Sequence, residues 1–274
     1  MTHENRVRIS LLDAGRMILK HLAIFPETRP AEAARQLSFG PSFLANYDFE
    51  AALPLVTNPQ ERIFCLLGNR SAELRHAIFE IARIDKPFWA RAATYGRQRA
   101  LRLTNEDQAQ CLKDAGLADS PLEGEPRVWW ERLSNEFRLL QEVERRRIGS
   151  EAERLTLEYE KRRLAALGID KNPHLVSVED DAAGYDVYSY TLIDARIVPF
   201  HIEVKGTSSA EPRFFLSRNE WEACLKLCPG YAVYVWSQGK LEPTVLMREI
   251  LEGHVPRDCG DGMWMDVRIL LKGI

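Results

Sequence analysis

The chain of 274 residues lacks the features that mark secreted or membrane proteins. Its five cysteines are an odd number without a C-x-x-C pair, so the sequence predicts neither a disulfide framework nor a zinc ribbon. The N-terminal MTHENRVRIS has no apolar signal core, and no run approaches the ~18 apolar residues of a membrane span. We therefore expect a soluble, cytoplasmic protein that does not bind membranes.

The chain also lacks the short motifs of several common enzyme classes. It has no Gly-rich phosphate loop, no G-x-S-x-G elbow and no H-E-x-x-H, so nothing indicates ATP hydrolysis, serine-hydrolase chemistry or zinc-protease chemistry. The formal net charge is only −3, so no global electrostatic field attracts nucleic acid. Any binding to phosphates has to use a local basic patch.

The first half of the chain has the apolar spacing of short helices. This spacing predicts helices within residues 11–22, 30–37, 74–81 and 105–116. The Pro-, Gly- and acid-rich stretch 120–126 predicts a linker. We therefore predict a helical domain for targeting or partner binding over residues 1–120, with a winged-helix-like module as one option. A linker and a connecting helix follow over residues 121–147.

The second half alternates between helix and strand patterns. Helices are predicted at residues 150–167 and 217–227, and strands at 175–178, 185–192, 198–204 and 231–236. Ser217 and Glu220 form a capping-box pattern, which supports the start of the second helix. This order predicts an α/β domain over residues 148–274, with a mixed sheet flanked by helices.

Two short strings in this domain contain the residues on which the functional argument depends. GYDVYS and HIEVKGT place Asp186 seventeen positions before Glu203, and Lys205 follows Glu203 by two. Residues two apart on a strand share a face, so Glu203 and Lys205 point together while the apolar residues between them point into the core. Two carboxylates beside an ammonium group suit a hard divalent cation and a phosphodiester. The alternative is a solvated strand face whose E-x-K is an ordinary surface ion pair.

These strings resemble the signature of the PD-(D/E)XK nuclease superfamily. More narrowly, the chain is similar to the domain named for the C-terminal region of the plant protein NO VEIN, which bacteria also carry. The resemblance continues in order with IGSEAERLTLEYEKRRL from Ile148, FLSRNEWEACL from Phe215, YAVYVW from Tyr231 and HVPRDCGDGMW from His254, and it covers residues 128–274. One departure is Tyr185, which stands where the superfamily pattern has proline.

The resemblance implies a restriction-endonuclease-like fold and Mg²⁺-dependent hydrolysis of phosphodiester bonds, with Mn²⁺ able to replace Mg²⁺. It assigns the metal to Asp186 and Glu203, and it assigns Lys205 to orienting the attacking water or stabilising charge. The expected substrate is DNA and the expected setting is restriction or antiviral defence. A helicase or another defence subunit is the expected partner, and a homodimer is an option for double-strand cuts.

A third carboxylate, Glu153, falls where the family's opening helix carries a glutamate that often borders the site. The resemblance therefore implies a catalytic role for Glu153. Ser150 and Glu153 also form the S-x-x-E pattern of a helix capping box, which is the alternative. Glu160 lies two turns further along the same helix face, and it either lines the same cleft or pairs with a neighbouring basic residue.

Two other groups of polar residues have a structural as well as a functional interpretation. His201 shares the strand face of Glu203, where it either contacts phosphate or is a peripheral polar residue, and the second is favoured. His254, Asp258 and Asp261 lie in a Gly-containing loop that could hold a second metal ion. The resemblance favours a structural role for this loop.

One stretch of the first half has the composition of a nucleic-acid contact. Positions 83–102 contain six Lys or Arg, a single acid and interleaved aromatic residues. Basic groups neutralise phosphates and aromatic rings stack on unpaired bases, so Arg97, Arg99 and Arg102 are candidate contacts. The alternative, which is slightly favoured, is a solvated helix face with aromatic residues in the core.

We therefore predict a metal-dependent endonuclease that acts on DNA in defence against foreign DNA. The main alternative is a catalytically inactive, nuclease-derived module that binds nucleic acid or acts as a scaffold in a larger defence complex. A nuclease or toxin acting on RNA is a third reading, because two carboxylates and a lysine do not distinguish DNA from RNA.

Overall fold

The computed structural model describes residues 6–176, 183–209 and 211–271, and the chain divides into two units, Met1–Glu142 and Val143–Ile274. Each unit has buried apolar clusters of its own. The boundary falls inside the segment 121–147 that the sequence predicts as linker and connecting helix. Among the described helices, none combines the length and apolar character that crossing a membrane requires.

Helices form the regular structure of the first unit. They are α1 Ile9–Ile24, α2 Pro30–Ser38, α3 Phe49–Thr57, α4 Arg70–Asp85, α5 Phe88–Ala92, α6 Arg97–Leu101 and α7 Glu106–Asp114, followed by the start of α8, Gly124–Ala166. The four segments predicted as helical coincide with α1, α2, α4 and α7. No strand lies within residues 6–142, so a winged-helix-like module, whose wing is a β-hairpin, does not describe this unit.

The ends of α4 and α7 follow local capping rules. The side chain of Asn69 accepts a hydrogen bond from Ala72 N–H at 2.8 Å, which satisfies a free donor at the start of α4. Asn105 and Gln108 form a reciprocal capping box at α7, with distances of 2.9 and 3.1 Å. Gly116 follows α7 with a φ of 71°, a left-handed conformation that favours glycine. These ends are local, which is why the sequence predicts them.

A buried charge network joins α1 to α4. Arg16 Nε and Nη2 donate to Glu73 Oε2 at 2.9 and 2.6 Å, and Arg16 Nη1 donates to Asp13 Oδ1 at 2.5 Å. Burial raises the pKa of the Glu73 carboxyl, but the hydrogen bonds and charge of Arg16, together with the Leu67 N–H and Lys20, outweigh it and the net pKa is lowered. The network is internally paired, so it has a structural role in the first unit.

Helix α8 is longer than the sequence predicts. A connecting helix ending near residue 147 and a new helix from residue 150 were expected, whereas α8 is continuous from Gly124 to Ala166. A glycine inside a helix costs only ~1 kcal/mol relative to alanine, and once a helix is nucleated each further residue adds a hydrogen bond. The helix therefore continues across Gly149, because the residues on both sides of it have high helix propensity.

The second unit is built on a mixed sheet flanked by helices, which confirms the predicted α/β class. Its strands are β1 His174–Leu175, β2 Val187–Ile193, β3 Arg196–Thr207, β4 Arg213–Ser217, β5 Tyr231–Ser237, β6 Thr244–Leu246 and β7 Asp266–Leu270, and its further helices are α9 Arg218–Leu227 and α10 Arg248–Glu252. The main sheet has the order β1-β2-β3-β5-β6, and β4 pairs with β7 separately. Strands β3 and β5 are parallel, and the other neighbours are antiparallel. Positions 177–178 of the predicted strand 175–178 lie outside the described residues.

The main sheet buries apolar side chains on both faces. On one face, Ile202 and Val204 pack in a cluster with Ala152 of α8. On the other face, Val233 of β5 packs in a cluster with Trp221 of α9. Every residue of β5 is buried, as expected for a central strand covered on both sides. Polar side chains on β3 therefore lie between packed layers, where their charges are partly removed from water.

Candidate active site

The β2–β3 hairpin brings Asp186 and Glu203 to the same face of the sheet. Val187 pairs with Ile202, and Asp186, the residue just before β2, donates its N–H to Ile202 O at 3.0 Å, so Asp186 lies against β3 next to Glu203. The carboxyl of Asp186 interacts with the side chains of Glu203 and Lys205, so the three groups lie on the same side of the sheet. Since a slip of one residue would turn Asp186 to the other face, the site depends on this register.

A tight turn sets that register. Asp194 and Ala195 connect β2 to β3 as a two-residue loop, and both have a positive φ, 49° and 60°. A turn with two left-handed residues matches the twist of the flanking strands and so fixes their pairing. The conformation is unfavourable for alanine, and the seven paired positions of the hairpin hold it in place.

The carboxylate of Asp186 is oriented by the backbone of the neighbouring strand. Its Oδ2 accepts a hydrogen bond from Val204 N–H at 2.8 Å. Burial raises the pKa of this carboxyl, and the Val204 N–H and the Lys205 charge oppose the rise. Asp186 is thus held in place while its ionised form is disfavoured, which is the environment that a bound cation would relieve.

Lys205 lies between two carboxylates. Its Nζ is 2.6 Å from Glu203 Oε1 and 2.9 Å from Glu220 Oε1. Burial lowers the pKa of Lys205, but the negative charges of Glu203 and Glu220 outweigh it and the net pKa is raised. Lys205 is therefore an ammonium group at neutral pH. This favours charge stabilisation and water orientation, because a protonated lysine cannot remove a proton.

Glu203 is the most buried of the acidic residues at the site, with 5% of its surface exposed. Burial raises the pKa of its carboxyl well above the ordinary value. Lys205 opposes this rise, and the negative charges of Asp186 and Glu220 add to it. The solvated-face alternative for the E-x-K pair therefore does not describe Glu203.

Glu220 is a member of the site that the sequence identified only as a helix cap. The predicted capping box is confirmed, since Glu220 Oε2 accepts from Ser217 N–H at 2.8 Å and Ser217 Oγ accepts from Glu220 N–H at 3.3 Å. The other oxygen of Glu220 accepts from Lys205 Nζ. The S-x-x-E pattern predicts the helix cap because both residues are local. The contact of Glu220 with Lys205 could not be predicted in this way, because it depends on the packing of α9 against β3.

Glu153 lies within α8 and is half-buried. Because α8 continues through Ser150, the capping-box alternative for Glu153 is excluded. Burial raises the pKa of the Glu153 carboxyl first, and the negative charge of Asp186 raises it further. Glu153 is therefore close enough to Asp186 to interact with it electrostatically, and its catalytic role stays a prediction.

The donor atoms present suit a hard divalent cation. Asp186 and Glu203 offer carboxylate oxygens side by side, and their pKa values are raised partly by other carboxylates nearby. Within the described part of the chain, no three His, Cys, Asp or Glu side chains form a ready-made metal cage. Mg²⁺ commonly binds through one or two carboxylates and keeps several waters, so two protein ligands fit it.

Glu160 does not line this cleft. It is completely buried on the α8 face of the sheet, where Ser189 Oγ donates to its Oε2 at 2.6 Å and Tyr234 OH donates to its Oε1 at 2.9 Å. Arg163 donates to both oxygens at 2.7 Å. All of its acceptor capacity is used inside the unit, so Glu160 has a structural role.

His201 is packed in a structural setting at the other end of the same strand face. Its Nδ1 is 2.9 Å from Gly230 O, and its ring lies edge-on to Tyr185 and Tyr188 at 4.6 and 5.3 Å between centroids. These contacts agree with the favoured interpretation of a peripheral polar histidine.

The loop after α10 also has a structural role at Asp258. Its two oxygens accept from Arg218 Nη1 at 2.8 and 2.7 Å, and the hydrogen bonds from Arg218 lower the pKa of Asp258. His254 and Asp261 do not join it in a metal-binding group among the residues that the structure describes. The contact between Asp258 and α9 supports the structural interpretation of this loop.

Arg97, Arg99 and Arg102, the candidate nucleic-acid contacts of the first unit, do not lie on one common surface. Arg97 Nη1 donates to Asp119 O at 2.7 Å, which ties it to the segment after α7. Arg99 and Arg102 instead line a concavity with Arg91, Phe88 and Tyr95. Arg97 is therefore bonded within the fold. Arg91, one of the six basic residues of positions 83–102 but not one of the three candidates, lines the concavity with Arg99 and Arg102 instead.

Comparisons with known proteins bear on the second unit. No curated protein and no solved structure matches the chain significantly. Residues 152–269 match the model of a protein family described as Protein NO VEIN, C-terminal. This range contains Glu153, Asp186, Glu203, Lys205 and Glu220. The similarity to the NO VEIN C-terminal family that the sequence predicts is therefore confirmed for residues 152–269.

Proposed function

We propose that the second unit hydrolyses phosphodiester bonds in nucleic acid in a reaction that depends on Mg²⁺ or Mn²⁺. The observation that supports this most directly is the convergence of Asp186, Glu203 and Lys205 on one face of the sheet. Asp186 immediately precedes β2 and the other two residues lie on β3, so the β2–β3 hairpin brings the set together. The family match is compatible with a nuclease-like domain.

Each residue has a distinct role in this proposal. Asp186 and Glu203 hold the metal ion, which when bound lowers the pKa of a coordinated water and offsets charge on the phosphorus. Lys205, kept protonated by its carboxylate neighbours, donates hydrogen bonds to the attacking water or to a phosphate oxygen. Glu153, whose pKa is raised, is suited to accept a proton from that water.

We further propose DNA as the substrate and defence against foreign DNA as the setting, with a helicase or another defence subunit as partner. The family resemblance supports this part, and the site chemistry is equally compatible with RNA. A nuclease-derived scaffold that does not cut is the competing function. The ion pairs of Lys205 with Glu203 and Glu220 would then be purely structural.

A cleavage assay tests the proposal. Wild type and Glu203→Ala are incubated with plasmid, linear duplex, single-stranded DNA and RNA in Mg²⁺, Mn²⁺ or EDTA. We expect cutting by the wild type with either metal, no cutting in EDTA, and loss of cutting in the variant, because one of two metal ligands is removed. Cleavage that persists in EDTA or in Glu203→Ala would contradict the site assignment. Absence of cleavage on all four substrates would favour the scaffold.

Glu220 is expected to act as a positioning residue for Lys205. In Glu220→Gln the capping box of α9 is kept, since glutamine also serves at this helix position, but the charge beside Lys205 is removed. We expect kcat to fall about tenfold with little change in KM, less than the loss of about 10²- to 10³-fold on removing a group that itself stabilises the transition state, because Glu220 acts only through Lys205. Because Glu220 raises the pKa of Lys205, the alkaline limb of the pH–rate profile should move to lower pH. An unchanged rate and an unchanged limb would mean that Glu220 only caps α9.

A further inference from the structure

A concavity in the first unit combines exposed aromatic rings with arginines that form no ion pair with any described carboxylate. It has a volume of about 360 Å³ and is formed by α5, α6, the turn between them and one residue of α8. Its main residues are Phe88, Arg91, Tyr95, Arg99 and Arg102. The volume lies within the range of about 300–1,000 Å³ that is typical of sites for small molecules. We call it the aromatic–arginine concavity.

Its two aromatic rings are largely exposed to solvent. Phe88 is 73% and Tyr95 is 71% exposed, whereas Trp89, their neighbour in sequence, is buried in the core. Single exposed aromatics are ordinary, but two in one concavity form an apolar patch that suits a flat, apolar ligand surface. The backbone beneath is helical on both sides of the short turn, so the rings are presented from rigid elements.

The arginines of the concavity have no acidic partners. The guanidinium of Arg99 lies 5.2 Å from the centroid of the Tyr95 ring, and Arg91 Nε donates to Lys86 O at 2.8 Å. No carboxylate among the described residues pairs with Arg91, Arg99 or Arg102, and no acidic residue lines the concavity. Other exposed arginines, such as Arg83 beside Glu80, are paired on the surface. A positive, acid-free patch therefore stands out in a chain whose net charge is −3.

We propose that the aromatic–arginine concavity binds an unpaired nucleotide of single-stranded nucleic acid. The base stacks on Phe88 or Tyr95, and the flanking phosphates contact Arg91, Arg99 and Arg102. A base inside a duplex cannot reach rings within a concavity, because its faces are covered by neighbouring base pairs. This inference takes nucleic acid as the ligand class from the proposed function and adds that the bound strand is unpaired.

The test measures binding in EDTA, so that cleavage does not contribute. The full chain is titrated into fluorescent single-stranded DNA, single-stranded RNA and blunt duplex DNA, and anisotropy is recorded at several salt concentrations. We expect tighter binding of a single strand than of the duplex, and the DNA and RNA arms identify which strand is preferred. In Phe88→Ala/Tyr95→Ala we expect affinity for the single strand to fall at least about tenfold, since stacking on a ring is lost.

The arginines have a separate readout. In Arg99→Ala/Arg102→Ala the slope of log affinity against log salt should fall by about 1.4, or about 0.7 for each phosphate contact with a single strand. Matched controls are Arg83→Ala, a paired arginine outside the concavity, and Phe39→Ala, an aromatic residue 82% exposed elsewhere in the first unit. Both controls should bind as the wild type does. All replaced side chains are exposed, and thermal unfolding checks that each variant is folded.

Three outcomes would overturn the inference. The first is unchanged affinity for a single strand in the aromatic double variant. The second is tighter binding of the duplex than of either single strand. The third is binding of poly-glutamate, titrated as a polyanion without bases, as tightly as either single strand. These results are separable from failure of the proposed function. If the aromatic variant cleaves and binds single strands normally, only the proposed role of the concavity is refuted. If binding depends on the concavity but the protein cleaves no substrate with either metal ion, only the proposed nuclease activity is refuted.

Discussion

Replacing Lys205 with alanine is expected to reduce metal-dependent cleavage by at least about 10²- to 10³-fold, the usual effect of removing one group that stabilises charge in a transition state. The ammonium group lies on the sheet face shared by Asp186 and Glu203, and the nearby carboxylates keep it charged. Affinity for nucleic acid measured in EDTA should change little, since one partly buried lysine that is paired with carboxylates contributes little to binding a long polyanion. Cleavage rates and anisotropy on the same substrate check both parts.

The variant needs controls because Lys205 also neutralises Glu203 and Glu220. Removing one partner of a buried ion pair typically destabilises a protein by about 3–5 kcal/mol, so the melting temperature of Lys205→Ala must be compared with that of the wild type. Lys205→Met keeps the packing of the aliphatic stem and serves as a second variant. Lys226→Ala, an exposed lysine at the end of α9, is the matched control and should cut normally. Full activity in folded Lys205→Ala would exclude a catalytic role.

Millimolar Mn²⁺ is expected to raise the melting temperature of the wild type, and Asp186→Asn or Glu203→Gln should lose this increase. A ligand at about 100 times its Kd stabilises the folded state by about 2.7 kcal/mol, which corresponds to several degrees for a unit of this size. The physical reason is that burial and neighbouring negative charges disfavour the ionised forms of both carboxyls, and a cation removes that penalty. Calorimetry with Mn²⁺ and with EDTA measures the shift without any substrate.

A carboxylate outside the site tests the specificity of this shift. Asp258→Asn removes an acidic residue of the same unit that is already paired with Arg218, so it should retain the full increase with Mn²⁺. An equal increase in all three variants would place the cation elsewhere on the protein. Loss of the increase in Asp258→Asn alone would favour the loop after α10 as the metal site.

The strands of the site could be predicted because their signals are local. Charged and apolar residues alternate through HIEVKGT with the period of a strand, and Ser217 and Glu220 mark the start of α9. The proximity of Asp186 to Glu203 also depends on the turn at Asp194 and Ala195. That dipeptide is not a preferred sequence for a turn with two left-handed residues, so the register could not be predicted from the turn.

The features that the sequence did not predict have a common physical cause. The continuity of α8 through Gly149 reflects the cooperativity of a long helix, which a local glycine signal does not report. The pairing of Glu160 with Arg163 is local and was one of the predicted alternatives. The burial of Glu160 beside Tyr234, the contact of Glu220 with Lys205 and that of Arg97 with Asp119 depend on elements that are distant in sequence. Sequence patterns assign a residue to a face of its own element but do not identify the opposite element.

By itself, the amino-acid sequence determined the α/β class of the second unit, the helical character of the first, the family resemblance, and Asp186, Glu203 and Lys205 as the candidate site. These follow from periodicity, capping and ordered motifs, which act over a few residues. Only the tertiary structure decided that Glu220 contacts Lys205, that Glu160 is buried on the opposite face, and that Arg91 joins Arg99 and Arg102 beside two exposed rings. Such contacts depend on strand register and on the packing of helices, because the burial and charge of a side chain are set by residues far away in the chain.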